Sequence, residues 1–329
     1  MILVTGATGF IGRALVRQLS AAGYQLRVLL RPSPRTPRLP VGVPVEVAVV
    51  GLADTRGLRA AMRGIDDVFH LASAESQGGE ANLLVTDVHG TENLAAAAAD
   101  AGVRRLIYLS HVGAERTAGY PAFRAKGLAE DHVRNGRVPY TILRSSLVYG
   151  PEDHFTNSLA TLLRYSPGIF PIPSGSRTVA QPVWVEDLVT CMVWAFENPD
   201  TINQTLEVGG TEFFTLREII EIIMRLTHTP RYLFTLSPMT LRGLIVFLDS
   251  VLPSFPLSSF WLDYFAVNRT CAVDSMARQF GLMPARFTYR LNYLIRVPWY
   301  QRLARFVRTT VSALLARLQE SLRSARGPR

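Results

Sequence analysis

Apolar and polar positions alternate along the first half of the chain in a way that predicts strands separated by helices. The chain opens on the apolar run ILVT, then places Ile11, Leu15 and Leu19 at helical spacing before a second apolar run at 26–30. Further short apolar runs follow, separated by helical segments such as 90–101. These runs are residues 45–50, 67–71, 105–110 and 140–144. Such alternation predicts an α/β fold with a doubly wound parallel sheet.

Three glycines, Gly6, Gly9 and Gly12, stand in the turn between the first strand and the first helix. A glycine-rich turn lets the backbone approach a pyrophosphate, and the N–H groups and dipole of the helix stabilise its charge. Glycines also make tight turns in unrelated loops, but this position between strand and helix favours nucleotide binding. We therefore predict a Rossmann-type dinucleotide-binding domain over 1–150, its sheet completed by about 178–208.

The second strand ends near a group of arginines and lacks an acidic residue that would accept the 2′-hydroxyl of NAD. Arg31 and Arg35 suit a 2′-phosphate instead, because a guanidinium pairs with phosphate through two hydrogen bonds. We expect NADP(H) to be favoured over NAD(H). The alternative is that this segment is a solvated arginine-rich loop.

After residue 150 the chain should form a smaller lobe, mainly 151–298, that closes over the nicotinamide end of the cofactor. A crevice between two lobes is a common ligand site. The candidates for its lining are Tyr149, Phe155, Gln181 and Trp184. Packing between the lobes is the alternative role for these side chains.

The formal net charge of +9 is concentrated at the C-terminal end. Residues 301–329 hold seven arginines and one acidic residue, so a basic groove across the fold is not indicated, and we expect no nucleic-acid partner. The cysteines, Cys191 and Cys271, form no CxxC motif, and we expect both to be reduced and buried. The first residues resemble no secretory signal, which favours the cytoplasm.

Two apolar regions in the second half suggest contact with a membrane or a hydrophobic partner. Residues 232–267 are strongly apolar, but Arg242, Asp249 and several prolines interrupt them, so we do not expect a membrane span. This region is either the core of the smaller lobe or a docking patch. Residues 299–329 predict a basic amphipathic helix, which packs on its own domain or lies peripherally on the inner face of a membrane.

Several motifs resemble the extended and atypical short-chain dehydrogenase/reductase superfamily over about residues 1–295. They are TGATGFIG, HLAS at 70–73, HGTENLAAAA at 89–98, RRLIYLSHVGA, YTILRSSLVYGP and PVWVEDLVTCMVWAFENP. Within it, the chain is similar to the branch of the nucleotide-binding accessory subunit of respiratory complex I. The resemblance implies a cofactor-binding set of Gly6, Thr8, Gly9, Phe10, Ile11, Gly12, Arg31, Arg35, Leu52, Leu71, Ala72, Ser73 and Lys126.

In this superfamily a proton-transferring tyrosine precedes the ribose-binding lysine by four residues, on the same helical face. Lys126, the one lysine in the chain, matches that lysine, but Ala122 stands in the place of the tyrosine. Tyr120 is six residues from Lys126, roughly 600° around a helix, and so lies on the opposite side. The resemblance also marks Ser110 as a catalytic candidate, and His111 is the alternative acid or base.

Two further departures weaken the resemblance to an active enzyme. Asp87 stands where the family usually carries asparagine, and Gly51 replaces an acidic residue that contacts adenine. The remaining histidines do not suggest a metal centre, and we expect no metal site.

Three functions follow from these observations. The first is an NADP(H)-holding structural or assembly subunit of a membrane-associated, complex I-like redox complex. The second is an active NADP(H)-dependent reductase, epimerase or dehydratase with a non-standard proton donor. The third is a nucleotide sensor whose affinity for a partner changes when NADP(H) binds.

Overall fold

The computed structural model describes residues 1–33, 36–75, 80–175, 177–251 and 259–295, and its strands form one large and three small sheets. The strands are β1 (Ile2–Thr5), β2 (Leu26–Leu30), β3 (Glu46–Val49), β4 (Asp67–His70), β5 (Arg105–His111), β6 (Tyr140–Ser145), β7 (Val148–Tyr149), β8 (Ile169–Pro173), β9 (Val179–Ala180), β10 (Val183–Trp184), β11 (Gln204–Val208), β12 (Phe214–Thr215) and β13 (Tyr232–Leu236).

The large sheet has seven parallel strands in the order β3-β2-β1-β4-β5-β6-β11. The strand order reverses at β1, where Thr5 is in register with Leu29 of β2 on one side and with His70 of β4 on the other. Ligands of doubly wound sheets bind at the carboxyl ends of the strands at such a reversal. The predicted α/β class with a doubly wound parallel sheet is confirmed.

Helices cover both faces of this sheet. The helices of the described residues, in both parts of the fold, are α1 (Phe10–Ala21), α2 (Thr55–Ala61), α3 (Glu80–Leu83), α4 (Gly90–Asp100), α5 (Pro121–Arg134), α6 (Thr156–Tyr165), α7 (Val185–Glu197), α8 (Leu216–Thr227), α9 (Pro238–Val251), α10 (Phe260–Tyr264) and α11 (Ser275–Phe280). A π-helical segment, Leu84–His89, leads into α4. Buried side chains of α1 and α7 pack on one face, and those of α2, α4 and α5 pack on the other. Both faces are therefore removed from water, as parallel sheets require.

A smaller lobe is built from the later elements around a separate core. In it β8 pairs in parallel with β13, and β9 pairs antiparallel with β12. Helix α8 begins at a capping box, in which the Thr215 hydroxyl accepts from the Glu218 N–H and the Glu218 carboxylate accepts from the Thr215 N–H. The predicted tail helix, 299–329, lies outside the described residues.

The candidate crevice residues belong to this packing. Tyr149 and Phe155 are fully buried in the core of the smaller lobe, and Trp184 is half-buried beside Tyr149. Gln181 is also buried: its amide donates to the Gly210 carbonyl at 2.5 Å and accepts from the Cys271 N–H at 2.8 Å. Their burial therefore favours a role in packing between the lobes over a role in contacting a ligand. Cys191 is buried as expected, whereas Cys271 is only half-buried.

Candidate dinucleotide site

The glycine-rich turn after β1 is packed so closely that side chains are excluded from it. Gly6 has a left-handed backbone (φ 70°), and a Cβ there would lie 2.7 Å from the Leu71 carbonyl carbon. A Cβ on Gly12 would lie 2.1 Å from the Gly6 carbonyl oxygen. Because real Cβ atoms do not approach other atoms so closely, these two positions accept only glycine, and the turn keeps its backbone open toward a ligand.

The loop after β4 is tied across this turn. The backbone N–H groups of Leu71 and Ala72 both donate to the Thr5 hydroxyl, at 3.2 and 3.3 Å. Gly9 is the N-cap residue of helix α1, and no described side chain caps the first N–H groups of the helix. Uncapped N–H groups at a helix start that faces the carboxyl edge of the sheet fit the pyrophosphate of a dinucleotide.

The other predicted cofactor residues surround the same edge. Thr8, Phe10 and Ile11 lie half-buried in the turn and the first helical residues. The Leu52 carbonyl accepts from the Asn93 amide at 3.0 Å, which holds the loop after β3 against α4. The Ser73 hydroxyl accepts from the Glu75 N–H at 3.3 Å. Arg31 is exposed directly after β2, and Arg35 lies outside the described residues.

His70, at the end of β4, joins two elements of the site. Its Nδ1 lies 2.6 Å from the Thr5 hydroxyl and its Nε2 lies 2.9 Å from the Thr91 hydroxyl. Burial, helped by the positive charge of Lys126, lowers the pKa of His70 to about 3. The imidazole is therefore neutral at physiological pH and bridges β1 to α4.

This bridge predicts a specific loss of stability in acid. His70 has a folded-state pKa of about 3 against an ordinary value of 6.5, so the unfolded chain takes up a proton first as the pH falls below 6.5. We expect the protein to be about 2 kcal/mol less stable at pH 5 than at pH 7.5 from this group alone. Urea unfolding at the two pH values measures the difference, and His70→Gln should remove most of it. An equal pH dependence in that variant would contradict the assignment.

Lys126 is 3% exposed and ion-paired inside the fold. Its Nζ lies 3.3 Å from Asp87 Oδ1, 3.4 Å from the Leu109 carbonyl, and 5.2 Å from the centroid of the Tyr108 ring. Burial opposes the charge, but Tyr108 and the carboxylates of Asp87 and Glu75 outweigh it and raise the pKa of Lys126. The ammonium is thus fixed near the carboxyl end of β5 by Asp87 and the Leu109 carbonyl.

The partner of Lys126 is Asp87, the residue that stands where the family usually carries asparagine. Its second oxygen accepts from the Ala74 N–H at 2.9 Å, so both carboxylate oxygens contact protein. An asparagine could accept from Ala74 but could not supply the charge. Because Asp87 carries a negative charge where asparagine would carry none, it allows Lys126 to be buried as part of an ion pair.

The two catalytic candidates after β5 differ in their surroundings. Ser110 is fully buried, and its hydroxyl has no hydrogen-bond partner within the described residues. His111 Nε2 lies 2.6 Å from Glu75 Oε2, while its Nδ1 is buried without a partner there. Burial alone would raise the pKa of Glu75, but the charge and hydrogen bond of His111 lower it to about 2. The arrangement orients an imidazole with one ring nitrogen free for a ligand.

Helix α5 places Ala122 and Lys126 four residues apart, with Ala122 buried against the core of the smaller lobe. Its methyl group carries no transferable proton. Tyr120 precedes the helix as its N-cap residue and packs on the same core. It therefore does not lie in the helical turn that carries Lys126.

Metal ligands do not gather in the part of the chain that the structure describes. No group of three or more His, Cys, Asp or Glu side chains lies close enough there to hold an ion. His89 and Glu92 form one exposed pair at helical spacing, 3.5 Å apart. Two ligands in an exposed pair do not make a metal site.

Two residues of the site were not predicted from the sequence. Arg13 donates to the Thr8 carbonyl and to the Glu152 carboxylate, which ties the glycine-rich turn to the segment after β7. Glu75 holds His111. Arg13 could have been predicted, because it directly follows the last glycine of the turn. The pairing of Glu75 with His111 could not, because the two residues are 36 positions apart and nothing in the neighbouring sequence indicates their contact.

Comparison with known proteins supports this geometry. A family model described as NAD(P)H-binding matches residues 6–157. Among solved structures, a short-chain dehydrogenase/reductase superfamily protein from Agrobacterium tumefaciens with bound NAD has a TM-score of 0.67 at 21% identity, covering 94% of this chain and 99% of that one. At this identity the likeness shows the fold.

Curated relatives add sequence similarity. NADH dehydrogenase [ubiquinone] 1 alpha subcomplex subunit 9 of Arabidopsis thaliana is 32% identical over 239 residues, or 70% of this chain and 58% of that protein. A (4-alkanoyl-5-oxo-2,5-dihydrofuran-3-yl)methyl phosphate reductase of Streptomyces griseus is 31% identical over 241 residues, or 70% of this chain and 75% of that protein. The chain thus spans somewhat more than half the length of the subunit 9 relative.

The fold and the glycine-rich site define an NAD(P)-binding protein with a Rossmann-type sheet. The chain belongs to the short-chain dehydrogenase/reductase superfamily, and within it is related to the complex I subunit 9 branch.

Proposed function

We propose that this chain is an NADP(H)-binding subunit or assembly factor of a membrane-associated redox complex similar to respiratory complex I, with the dinucleotide as a structural ligand. The observation that carries the proposal is the pair of Lys126, held by Asp87, and Ala122 four residues before it. The site keeps the cation that would hold the ribose and lacks the usual proton donor. Similarity to subunit 9 supports the kind of complex.

The surface of α9 supports a hydrophobic partner. This helix buries Leu241 and Ile245 in its own lobe but exposes Met239, Leu244 and Val246. Met239 and Val246, seven residues apart, lie on the same side of the helix, and exposed apolar side chains of this kind are typical of an interaction surface. Within the described ranges no helix is long and apolar enough to cross a bilayer. The exposed apolar side chains of α9 and the predicted basic tail together favour peripheral attachment on the inner face of a membrane.

The first test is to identify what the purified protein carries. The protein is passed through gel filtration without added nucleotide and then denatured, and the released dinucleotide is identified and quantified. A structural ligand exchanges slowly, so we expect about one equivalent of NADP(H) per chain after this step. Release of no dinucleotide, together with weak binding on titration, would contradict a structural role.

The preference for NADP(H) is tested at the end of β2. Arg31→Glu replaces a cation with an anion where the 2′-phosphate is proposed to bind, so the ratio of NAD(H) to NADP(H) affinity should rise at least about tenfold. Arg63→Glu makes the same charge change before β4, at the amino ends of the strands and so on the side of the sheet away from the proposed site. It should leave the ratio unchanged. A ratio that responds equally to both substitutions would mean that the 2′-phosphate is recognised elsewhere.

An active reductase, epimerase or dehydratase is the second candidate, and the His111–Glu75 pair favours it. An imidazole that is fixed through Nε2, and whose buried Nδ1 has no hydrogen-bond partner among the described residues, is placed to transfer a proton. Screening for cofactor-dependent turnover separates the candidates: turnover that His111→Gln abolishes supports an enzyme, and its absence with a retained dinucleotide supports the subunit.

A further inference from the structure

Arg269 is a buried cation with few partners. It is 4% exposed, and within the described residues its guanidinium makes one hydrogen bond, from Nη1 to the Gly113 carbonyl at 3.3 Å, and no ion pair. Its Nε is buried without a partner. Burial accordingly lowers the pKa of Arg269. Removing a cation from water costs several kcal/mol unless it is compensated, so this group needs an explanation.

The comparison with Arg105 shows what compensation looks like in this fold. Arg105 is also buried and has no carboxylate partner within hydrogen-bond distance in the described part of the chain, yet it donates to the carbonyls of Phe196 and Asn198 and to two threonine hydroxyls. Its role is therefore structural. Arg269 has no such shell among the described residues.

The fold nevertheless positions the Arg269 guanidinium closely. Its Cζ lies 3.4 Å from the centroid of the Phe123 ring. Gly113 also adjoins the guanidinium: it has a left-handed backbone (φ 81°), and a Cβ there would lie 2.2 Å from Nη1. The guanidinium thus stacks on an aromatic face and lies against a left-handed position that favours glycine.

Other unpartnered polar atoms adjoin the same phenyl ring. The rings of Tyr264 and His111 have their centroids 6.0 and 5.9 Å from that of Phe123, and both carry a buried polar atom without a hydrogen-bond partner in the described part of the chain. Ser110, beside His111, carries a third. Phe123 lies three residues before Lys126 and so on the same side of α5. The group therefore adjoins the nicotinamide end of the proposed dinucleotide site.

We propose that Arg269 and Tyr264 bind the oxyanion, carboxylate or phosphate, of a small second ligand whose apolar body lies beside Phe123 and Phe260. The anion supplies the charge and acceptors that Arg269 lacks, and the Tyr264 hydroxyl donates a second hydrogen bond. His111 and Ser110 then face the part of the ligand nearest Lys126. This inference goes beyond the role of the dinucleotide and does not depend on whether the protein is a subunit or an enzyme.

The test uses the full chain with saturating NADP(H) at constant ionic strength. Binding of benzoate, phenyl phosphate and the neutral benzamide is measured by calorimetry. We expect benzoate or phenyl phosphate to bind and benzamide not to bind, and the anion that binds identifies the chemistry. Arg269→Gln should weaken that binding at least about tenfold, because a hydrogen-bonded charge is lost. Arg286→Gln, which removes an exposed arginine, should bind like the unmodified protein.

Tyr264→Phe provides a second variant that removes one hydroxyl and keeps the packing. It should weaken anion binding about fivefold and leave NADP(H) affinity unchanged. The proposal is overturned if neither anion binds, if benzamide binds equally well, or if Arg269→Gln and Tyr264→Phe bind like the unmodified protein. The anion titration is repeated without NADP(H). If NADP(H) fails to bind, that result therefore contradicts only the proposed function and leaves the anion site to be tested by the second titration.

Discussion

Replacing Lys126 with methionine should lower the free energy of unfolding by about 3–5 kcal/mol, because it leaves the buried carboxylate of Asp87 without its counter-charge. The side chains are similar in length, so packing changes little. The same variant should bind NADP(H) at least about tenfold more weakly if the ammonium also holds the ribose. Urea unfolding and dinucleotide titration measure the two effects separately.

The double variant Lys126→Met, Asp87→Asn separates stability from binding. Asparagine removes the unpaired charge and still accepts from the Ala74 N–H, so stability should largely return. Binding of NADP(H) should not return, since the ammonium is still missing. Recovery of both would mean that Lys126 acts on the cofactor only by keeping the site folded, and recovery of neither would contradict the ion pair as the source of the loss.

Gly12→Ala should abolish dinucleotide binding, and should destabilise the protein by several kcal/mol because overpacking here forces backbone to move. The new Cβ would lie 2.1 Å from the Gly6 carbonyl oxygen and 2.8 Å from the Ala7 Cα, and both neighbours are backbone atoms that cannot rotate away. Relief requires α1 to move away from the turn, which displaces the N–H groups proposed to bind the pyrophosphate. Thermal unfolding and titration with NADP(H) report the two effects.

Gly119→Ala is the matched control for that substitution. A Cβ at Gly119 meets no atom within 4 Å, and its backbone lies outside the left-handed region. The change should therefore leave both stability and NADP(H) affinity close to those of the unmodified protein. If Gly12→Ala behaves like this control, the close approach of α1 to the turn is not a feature of the protein in solution.

The helices and strands of the sheet domain were predictable because their signals are local. The second strand was predicted at 26–30 and is Leu26–Leu30, and the helix predicted at 90–101 is Gly90–Asp100. The strand predicted at 45–50 is shorter, Glu46–Val49. Apolar spacing reports which face of an element is buried, and it loses precision at the ends, where burial fades.

The residues of the glycine-rich turn were also predictable, since strand, turn and helix follow one another in the chain. Partners of charged side chains were not. Lys126 was singled out as the one lysine, but its pairing with Asp87 depends on how the π-helical segment before α4 packs on α5. The buried position of Gln181, by contrast with its predicted place in a crevice, depends on the chain segment at Cys271.

For this protein the order of apolar runs and glycines in the chain was sufficient to predict the doubly wound sheet, which the structure confirms, and a dinucleotide site at the turn after its first strand. Each of these depends on contacts between neighbouring segments, whose periodicity and turn chemistry are written in adjacent residues. The tertiary structure alone decided that Glu75 holds His111, that Asp87 neutralises Lys126, and that Arg269 is buried without a carboxylate partner among the described residues. These features arise from contacts between side chains of distant segments. The charge and burial of the residues in such contacts depend on the packing of the whole chain.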